Sequence, residues 1–318
     1  MKILANDGIS SVGVKKLEEN GFKVSTTNVP QAQLVDTINR ENYSVLLVRS
    51  ATKVRKDLLD ACPSLKIIGR GGVGMDNIDV DYARSQGLSV INTPGASSQS
   101  VAELVMGHFL SLARGLHDSH RLMPQVGNKE FKTLKKKYGK GKELRGNKLG
   151  IIGLGRIGRA LGSYALGVGM EVVAFDKFQN DTPIVVPIGN YGNIDVRIPY
   201  VDFNELLSTC DFISIHVPKQ EDGSAVITKS EFEKMKDGVI LVNAARGGVI
   251  DEQDLLDYIA NGKVRGAALD VFDNEPTPNG ALLTNESISH SPHIGAATLE
   301  AQDRIGVELA DQIIDILK

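Results

Sequence analysis

The sequence predicts an α/β protein built as two doubly wound parallel-sheet domains. Three observations carry the prediction. The length of 318 residues is too great for one simple core and suits two of ordinary size. Short β-branched runs alternate with amphipathic stretches through the first hundred residues, and a second series of the same kind begins at Leu149.

In chain order, the first series reads as a strand in KIL, a helix in SVGVKKLEENG ending on Gly21, and a strand in FKVST. Helical QLVDTINR follows, then strand SVLLVRS, helical KDLLDAC, strand LKIIG and later strand LSVINT. This is the spacing of βαβ units, whose ligands bind just past the carboxyl ends of the strands. Residues Ser98 to His120 form one longer amphipathic segment, with Ser97 or Ser98 as its cap, and read as a connecting helix. The stretch PQVGNKEFKTLKKKYGKGKELRGNK is rich in Lys and Gly and almost empty of large aliphatics. A solvated arm or linker is expected there, because the single-face basic stripe and interleaved aromatics of a nucleic-acid surface are missing. The second series runs LGIIGLG, EVVAFD, DFISIHVP, GVILVNAARG and VRGAALDVF, separated by helical ELLSTC and EQDLLDYIANG. The final helix, ATLEAQDRIGVELADQIIDILK, stays amphipathic to its last residue.

A net charge of −3, with 36 basic and 39 acidic residues, argues against nucleic acid or an anionic membrane as the main partner and favours a small soluble substrate. Only Cys62 and Cys210 are present, so neither a disulfide framework nor a metal site is implied, and a cytoplasmic location is expected. No apolar run approaches the roughly 18 residues of a membrane span. The start MKILANDGIS lacks the basic and apolar regions of a signal peptide, so an unprocessed, soluble chain is expected.

Residues LGIIGLGRIGR place Gly153, Gly155 and Gly158 in the G-x-G-x-x-G pattern, directly after an apolar strand and at the start of a helix. The first glycine permits the tight turn, the second lets the backbone approach a pyrophosphate, and the third lets the helix pack on the strand. Asp176 ends the next strand, near the roughly 20-residue spacing at which a carboxylate accepts from the adenosine ribose. Such a carboxylate repels a 2′-phosphate, which selects NAD over NADP, although the neighbouring Lys177 leaves room for NADP tolerance.

Arg246 after LVNAA, Glu275 in DVFDNEP and His293 in SPHIG each lie near the end of a strand in the second series. Singly they have plain alternatives: a surface ion-pair residue, a loop acid before a proline, and a packed or exposed histidine. Together they meet the needs of a hydroxy-acid dehydrogenase. Arg246 can grip a carboxylate through its planar fork. His293 would take the hydroxyl proton, and Glu275 would orient the ring and favour the imidazolium. His108, His117 and His120 fall in the long helical segment, where core or surface roles are expected, and His290 has no motif support. His216, at the end of ISIHVP, could reach the cofactor through its backbone or be structural.

On VRSATKV, GRGGVGMDNIDVDYARSQGLSVINTPG, GIIGLGRIGR, HVP, VNAARGGVIDE, GAALDVFDNEP and PHIGAAT, the chain resembles the D-isomer-specific 2-hydroxyacid dehydrogenases over essentially its whole length. The resemblance implies a flavodoxin-like substrate-binding domain (1–98 plus 291–318) and a Rossmann NAD-binding domain (99–290), with the active site in the cleft between them. It implies Arg246, Glu275 and His293 as the catalytic set, and a homodimer, possibly paired further into a tetramer, formed through the nucleotide-binding domain. Cofactor contacts carry over to Val73, Arg156, Ile157, Asp176, His216, Val217, Ala244, Ala245, Arg246, Asp270, His293, Gly295 and Ala296, beside Gly153, Gly155 and Gly158. Substrate contacts carry over to Arg49, Ser50, Arg70, Gly71, Gly72 and Val73, with Arg246 and His293. Arg49 and Arg70 suit a phosphate of nearly two charges, whereas lactate or glyoxylate would leave them idle. The expected reaction is therefore oxidation of D-3-phosphoglycerate to 3-phosphohydroxypyruvate with NAD, the first step of phosphorylated serine synthesis. A reductase of glyoxylate, hydroxypyruvate or another small 2-oxo acid is the alternative on the same scaffold, and an NAD-sensing corepressor is the alternative of another class. Two departures stand out. The stretch KFQNDTPIVVPIGNYGNIDVRIPYVDF is longer than the family usually carries, and the chain ends at Lys318 without the regulatory domain of longer relatives, so feedback by serine there is not expected.

Overall fold

Parallel strands whose side chains are covered on both faces need near-continuous apolar runs, and the chain supplies them. The computed structural model describes residues 1–318, which divide into two units, Met1–Ser100 with Ala296–Lys318 and Val101–Gly295.

In the first unit, β1 (Lys2–Ala5), β2 (Lys23–Ser25), β3 (Val45–Val48), β4 (Ile67–Arg70) and β5 (Ser89–Asn92) form a parallel sheet in the order β2-β1-β3-β4-β5. This is a doubly wound order of the flavodoxin kind. Helices α1 (Ser11–Glu19), α2 (Leu34–Glu41), α3 (Lys56–Ala61) and α4 (Val80–Ser85) connect the strands. All four residues of β3 are buried, as its run VLLV requires at a sheet centre. Fully buried aliphatics such as Ile3, Leu4, Leu46 and Ile67 each contribute about 1.5–3 kcal/mol.

The second unit begins within α5 (Ser98–Arg114) and continues through α6 (Leu116–Tyr138). The single connecting helix expected over 98–120 is thus two, because Gly115 adopts φ 62° and breaks the run. The expected linker is likewise corrected: its first part is the rest of α6. Gly127 and Leu134 turn inward there, and Arg121 and Lys137 converge on the buried Asp118 at 2.6 and 2.8 Å, which satisfies a carboxylate that could not be buried alone. These partners hold Asp118 well below the usual carboxylate range, against the opposing effect of its burial.

After α6 come β6 (Lys148–Ile152), α7 (Arg156–Gly167) and β7 (Glu171–Phe175). The long stretch after Asp176 forms an antiparallel hairpin of β8 (Ile184–Pro187) and β9 (Asn193–Val196). Ile184 and Val186 are buried in the same apolar cluster as Leu161 and Ala165 of α7, and Gly162 makes room for Ile184. Pro199 to Val201 then lie parallel beside β7 through hydrogen bonds to Ala174. The rest of the unit is α8 (Phe203–Thr209), β10 (Phe212–Ile215), α9 (Lys229–Lys234), β11 (Val239–Asn243), α10 (Glu252–Ala260), β12 (Val264–Leu269), α11 (Gly280–Leu283) and β13 (Ile288–His290). The parallel sheet runs β13-β12-β11-β10-β6-β7, so the strand order reverses between β6 and β10, where open α/β sheets take their ligands.

The last helix, α12 (Leu299–Leu317), packs in the first unit on α1, β4 and β5. Gly13 and Gly306 let the α1 and α12 backbones touch, since a Cβ on Gly13 would lie 2.8 Å from Gly306 Cα. Arg304 and Gln312 donate to the carbonyls of Ala96 and Asn92. No helix is long and apolar enough to cross a membrane.

Candidate active site

The turn from β6 into α7 is built around its glycines. Gly153 has φ 95°, and a Cβ there would lie 2.7 Å from the carbonyl oxygen of His216, the residue after the adjacent β10. A Cβ on Gly158 would lie 2.3 Å from the Gly153 carbonyl oxygen, whereas at Gly155 it would meet nothing within 4 Å. Helix α7 starts at Arg156 with no side-chain cap, so its first N–H groups face outward over an open glycine. Free donors, the positive end of the helix dipole and a backbone without side chains are what a pyrophosphate needs, so these residues fit a dinucleotide. Asp176 braces the turn: Oδ2 accepts from Leu154 N at 2.7 Å and Oδ1 from Phe178 N at 2.8 Å. His216 Nε2 lies 2.9 Å from Ser214 Oγ, and burial pushes its imidazole down to about 4, so it is neutral near pH 7. Gly158→Ala is expected to destabilise the second unit by about 1–3 kcal/mol and to weaken NAD binding. Thermal melts with and without NAD read both effects, and a variant that melts and binds like wild type would show slack in this turn.

Arg246 lies in the loop after β11. Asn243, buried at the end of that strand, accepts from Ala245 N at 3.0 Å through Oδ1 and donates to the Arg246 carbonyl at 2.9 Å through Nδ2. A Cβ on Gly247 would lie 1.9 Å from the Phe272 carbonyl oxygen, so this loop sits directly against the Phe272–Glu275 turn. Asp251 closes the loop by capping α10 through Gln253 N and Asp254 N.

In the Phe272–Glu275 turn, Glu275 Oε1 accepts from Phe272 N at 3.0 Å, and Oε2 lies 2.8 Å from His293 Nδ1. An ionised carboxylate only accepts, so Nδ1 carries the hydrogen and the neutral ring keeps its lone pair on Nε2. The His293 side chain is 43% exposed, so the ring can be reached by an incoming molecule. Asp270 holds the His293 loop: its carboxylate accepts from Ile294 N and Gly295 N, both at 2.9 Å, and its carbonyl from His293 N at 2.8 Å. Those bonds keep Ser291 to Gly295 with the second unit.

Residues 106–295 match the family described as D-isomer specific 2-hydroxyacid dehydrogenase, NAD binding domain. The chain belongs to this family. The dehydrogenase uses NAD as its cofactor. It is 42% identical to a hydroxypyruvate reductase of Thermotoga maritima, over 98% of this chain and 97% of that protein. It is 38% identical to a D-3-phosphoglycerate dehydrogenase of Archaeoglobus fulgidus over its full length, but spans only 58% of that relative. Among solved structures it is similar to a D-lactate dehydrogenase of Aquifex aeolicus, complexed with NAD and lactic acid, at 27% identity and a TM-score of 0.76, covering 100% of this chain and 95% of that one.

The structure brings Glu275 and His293 into contact, seats the Arg246 loop against the Glu275 turn, and joins Gly153, Asp176, His216 and Val217 around one turn of the dehydrogenase. Arg49, Ser50, Arg70, Gly71, Gly72, Val73 and Ala296 lie in the first unit. Sequence reasoning missed Asn243, although a polar residue closing the apolar run VILVN was the available signal, since a buried amide needs partners. It also missed Ser291, which donates to Asp270 Oδ1 at 2.7 Å.

Proposed function

We propose that this dehydrogenase oxidises D-3-phosphoglycerate to 3-phosphohydroxypyruvate with NAD, the first step of phosphorylated serine synthesis. The observation that carries this reading is a pair of cations at adjacent strand ends. β3 and β4 pair with Val48 opposite Arg70, so Arg49 follows one strand where Arg70 closes the other, and Arg49 Cγ lies 3.6 Å from the position of a Cβ on Gly71. Two arginines at adjacent strand ends suit a phosphate, whose charge they can share through forked hydrogen bonds.

In this reading Arg246 binds the substrate carboxylate by its fork, held in place by Asn243. His293 Nε2 accepts the hydroxyl proton, while Glu275 fixes the tautomer that makes Nε2 the base. NAD, when bound, supplies the acceptor for the hydride from the hydroxyl-bearing carbon. The O–H proton would thus go to His293 Nε2 as the carbon gives up its hydride and the carbonyl forms. Gly153, Gly155, Arg156, Ile157 and Gly158 would hold the pyrophosphate, with Asp176 on the adenosine ribose. The same reading carries a homodimer through the second unit, which sedimentation equilibrium checks.

Reduction of hydroxypyruvate is the second reading, favoured by the relative from Thermotoga maritima. The two differ only in the phosphate. Comparing kcat/KM on 3-phosphohydroxypyruvate and hydroxypyruvate, in wild type, Arg49→Ala and Arg70→Ala, decides between them. Each substitution is expected to cost about 10- to 150-fold on the phosphorylated substrate alone, the equivalent of one charge-assisted hydrogen bond. Equal losses on both substrates, or a wild-type preference for hydroxypyruvate, would sink the phosphoglycerate reading.

A further inference from the structure

We propose that His108 is a positioning residue for His293, acting through the Ser291 hydroxyl and the Asp270 carboxylate. The inference rests on His293 being the proton acceptor of the reaction.

His108 lies on a face of α5 whose other members, Val105, Phe109 and Leu112, are buried apolar core. An imidazole there costs free energy unless both nitrogens find partners. Both do: Nδ1 lies 3.0 Å from Ser289 Oγ and Nε2 lies 3.0 Å from Ser291 Oγ, and all three residues are buried. The directions of these bonds follow from the far end. Ser291 gives its only hydrogen to Asp270 Oδ1 at 2.7 Å, so toward His108 it can only accept. Nε2 therefore carries the His108 proton, and Nδ1 accepts from the Ser289 hydroxyl. Burial, outweighing the charge of Asp270, lowers the His108 pKa below the ordinary histidine value, in keeping with a single neutral tautomer.

The result is a one-way series from Ser289 through His108 and Ser291 to a carboxylate that is itself 1% exposed. Hydrogen bonds in such a series polarise one another and are stronger than isolated ones. Asp270 is also the group that holds Ile294 N and Gly295 N, and with them the loop in which His293 adopts φ 53°. That left-handed conformation is uncommon for a histidine and persists only where surrounding bonds over-determine it. His108 supplies the innermost of those bonds. It keeps the Ser291 hydrogen pointed at Asp270, and so keeps Nε2 of His293 where a substrate hydroxyl can meet it.

The test uses the full chain. In nitrogen-edited NMR spectra, wild-type His108 is expected as the Nε2–H tautomer. His108→Leu and Ser291→Ala are each expected to lower kcat on the order of 10-fold, the effect of a slightly misplaced base. Both should also broaden or displace the His293 Nδ1–H resonance, identified by its loss in His293→Asn. His108→Gln, whose amide offers one donor and one acceptor, is expected to recover both signals. Ser291→Ala is the smaller change and serves if His108→Leu does not fold. Wild-type kcat with an unmoved His293 resonance in a folded variant overturns the proposal, as does an Nδ1–H tautomer at His108. If wild type turns over no 2-hydroxy acid while the spectra behave as expected, the catalytic assignment of His293 fails and its positioning by His108 is supported.

Discussion

His293→Asn is expected to lower turnover by about 10²- to 10⁴-fold, the span of a positioned general base, while NAD binding survives. Asparagine is the informative replacement for two reasons. It tolerates the left-handed backbone that residue 293 adopts at φ 53°. Its amide can also still donate toward Glu275 Oε2, which takes a hydrogen bond from His293 Nδ1 at 2.8 Å. The loop and its acidic partner are thus kept, and only the proton acceptor at Nε2 is lost. Steady-state NADH production against a fluorescence titration of NADH separates the two properties. Unchanged turnover would remove His293 from the mechanism.

Arg246→Ala is expected to lower kcat/KM by about 10- to 150-fold, since a hydrogen bond to a charged group is worth about 1.5–3 kcal/mol, with part of the loss in kcat. The loop keeps its two bonds from Asn243, to the Ala245 N–H and the residue 246 carbonyl, although the bond from Arg246 Nη1 to the Ala245 carbonyl at 2.6 Å is lost. Arg246→Lys should recover only part of the loss, because a point charge lacks the fork that holds a carboxylate in one orientation. Kinetics over a range of hydroxy-acid concentrations distinguish binding from turnover. An effect confined to NAD affinity would assign Arg246 to the cofactor and not to the substrate.

The glycine turn was legible in the sequence because each glycine answers a local demand: a positive φ at Gly153, an open backbone at Gly155 and a helix contact at Gly158. Arg246, Glu275 and His293 were legible as strand-end residues for a similar reason, as apolar runs announce where strands stop. The lysine-rich stretch was not. Its helix depends on Gly127 and Leu134 turning inward and on Lys137 reaching Asp118, 19 positions earlier, and no local composition signals that pairing. The stretch after Asp176 was visible as extra chain, but its hairpin is held by the packing of Ile184 and Val186 beside α7.

By itself the sequence determined the alternation of strands and helices, the dinucleotide turn, the family, and the three strand ends that carry the candidate chemistry. Those depend on side-chain periodicity and on backbone freedom at single positions, both of which are local. Only the tertiary structure decided which strands are neighbours, which nitrogen of His293 is free, and that Asn243, Asp270 and His108 stand behind the exposed residues. A buried polar group acquires its meaning from partners brought to it from elsewhere in the chain. Asp270 meets Ile294 and Gly295, and His108 meets Ser289 and Ser291, only after the sheet has closed around them.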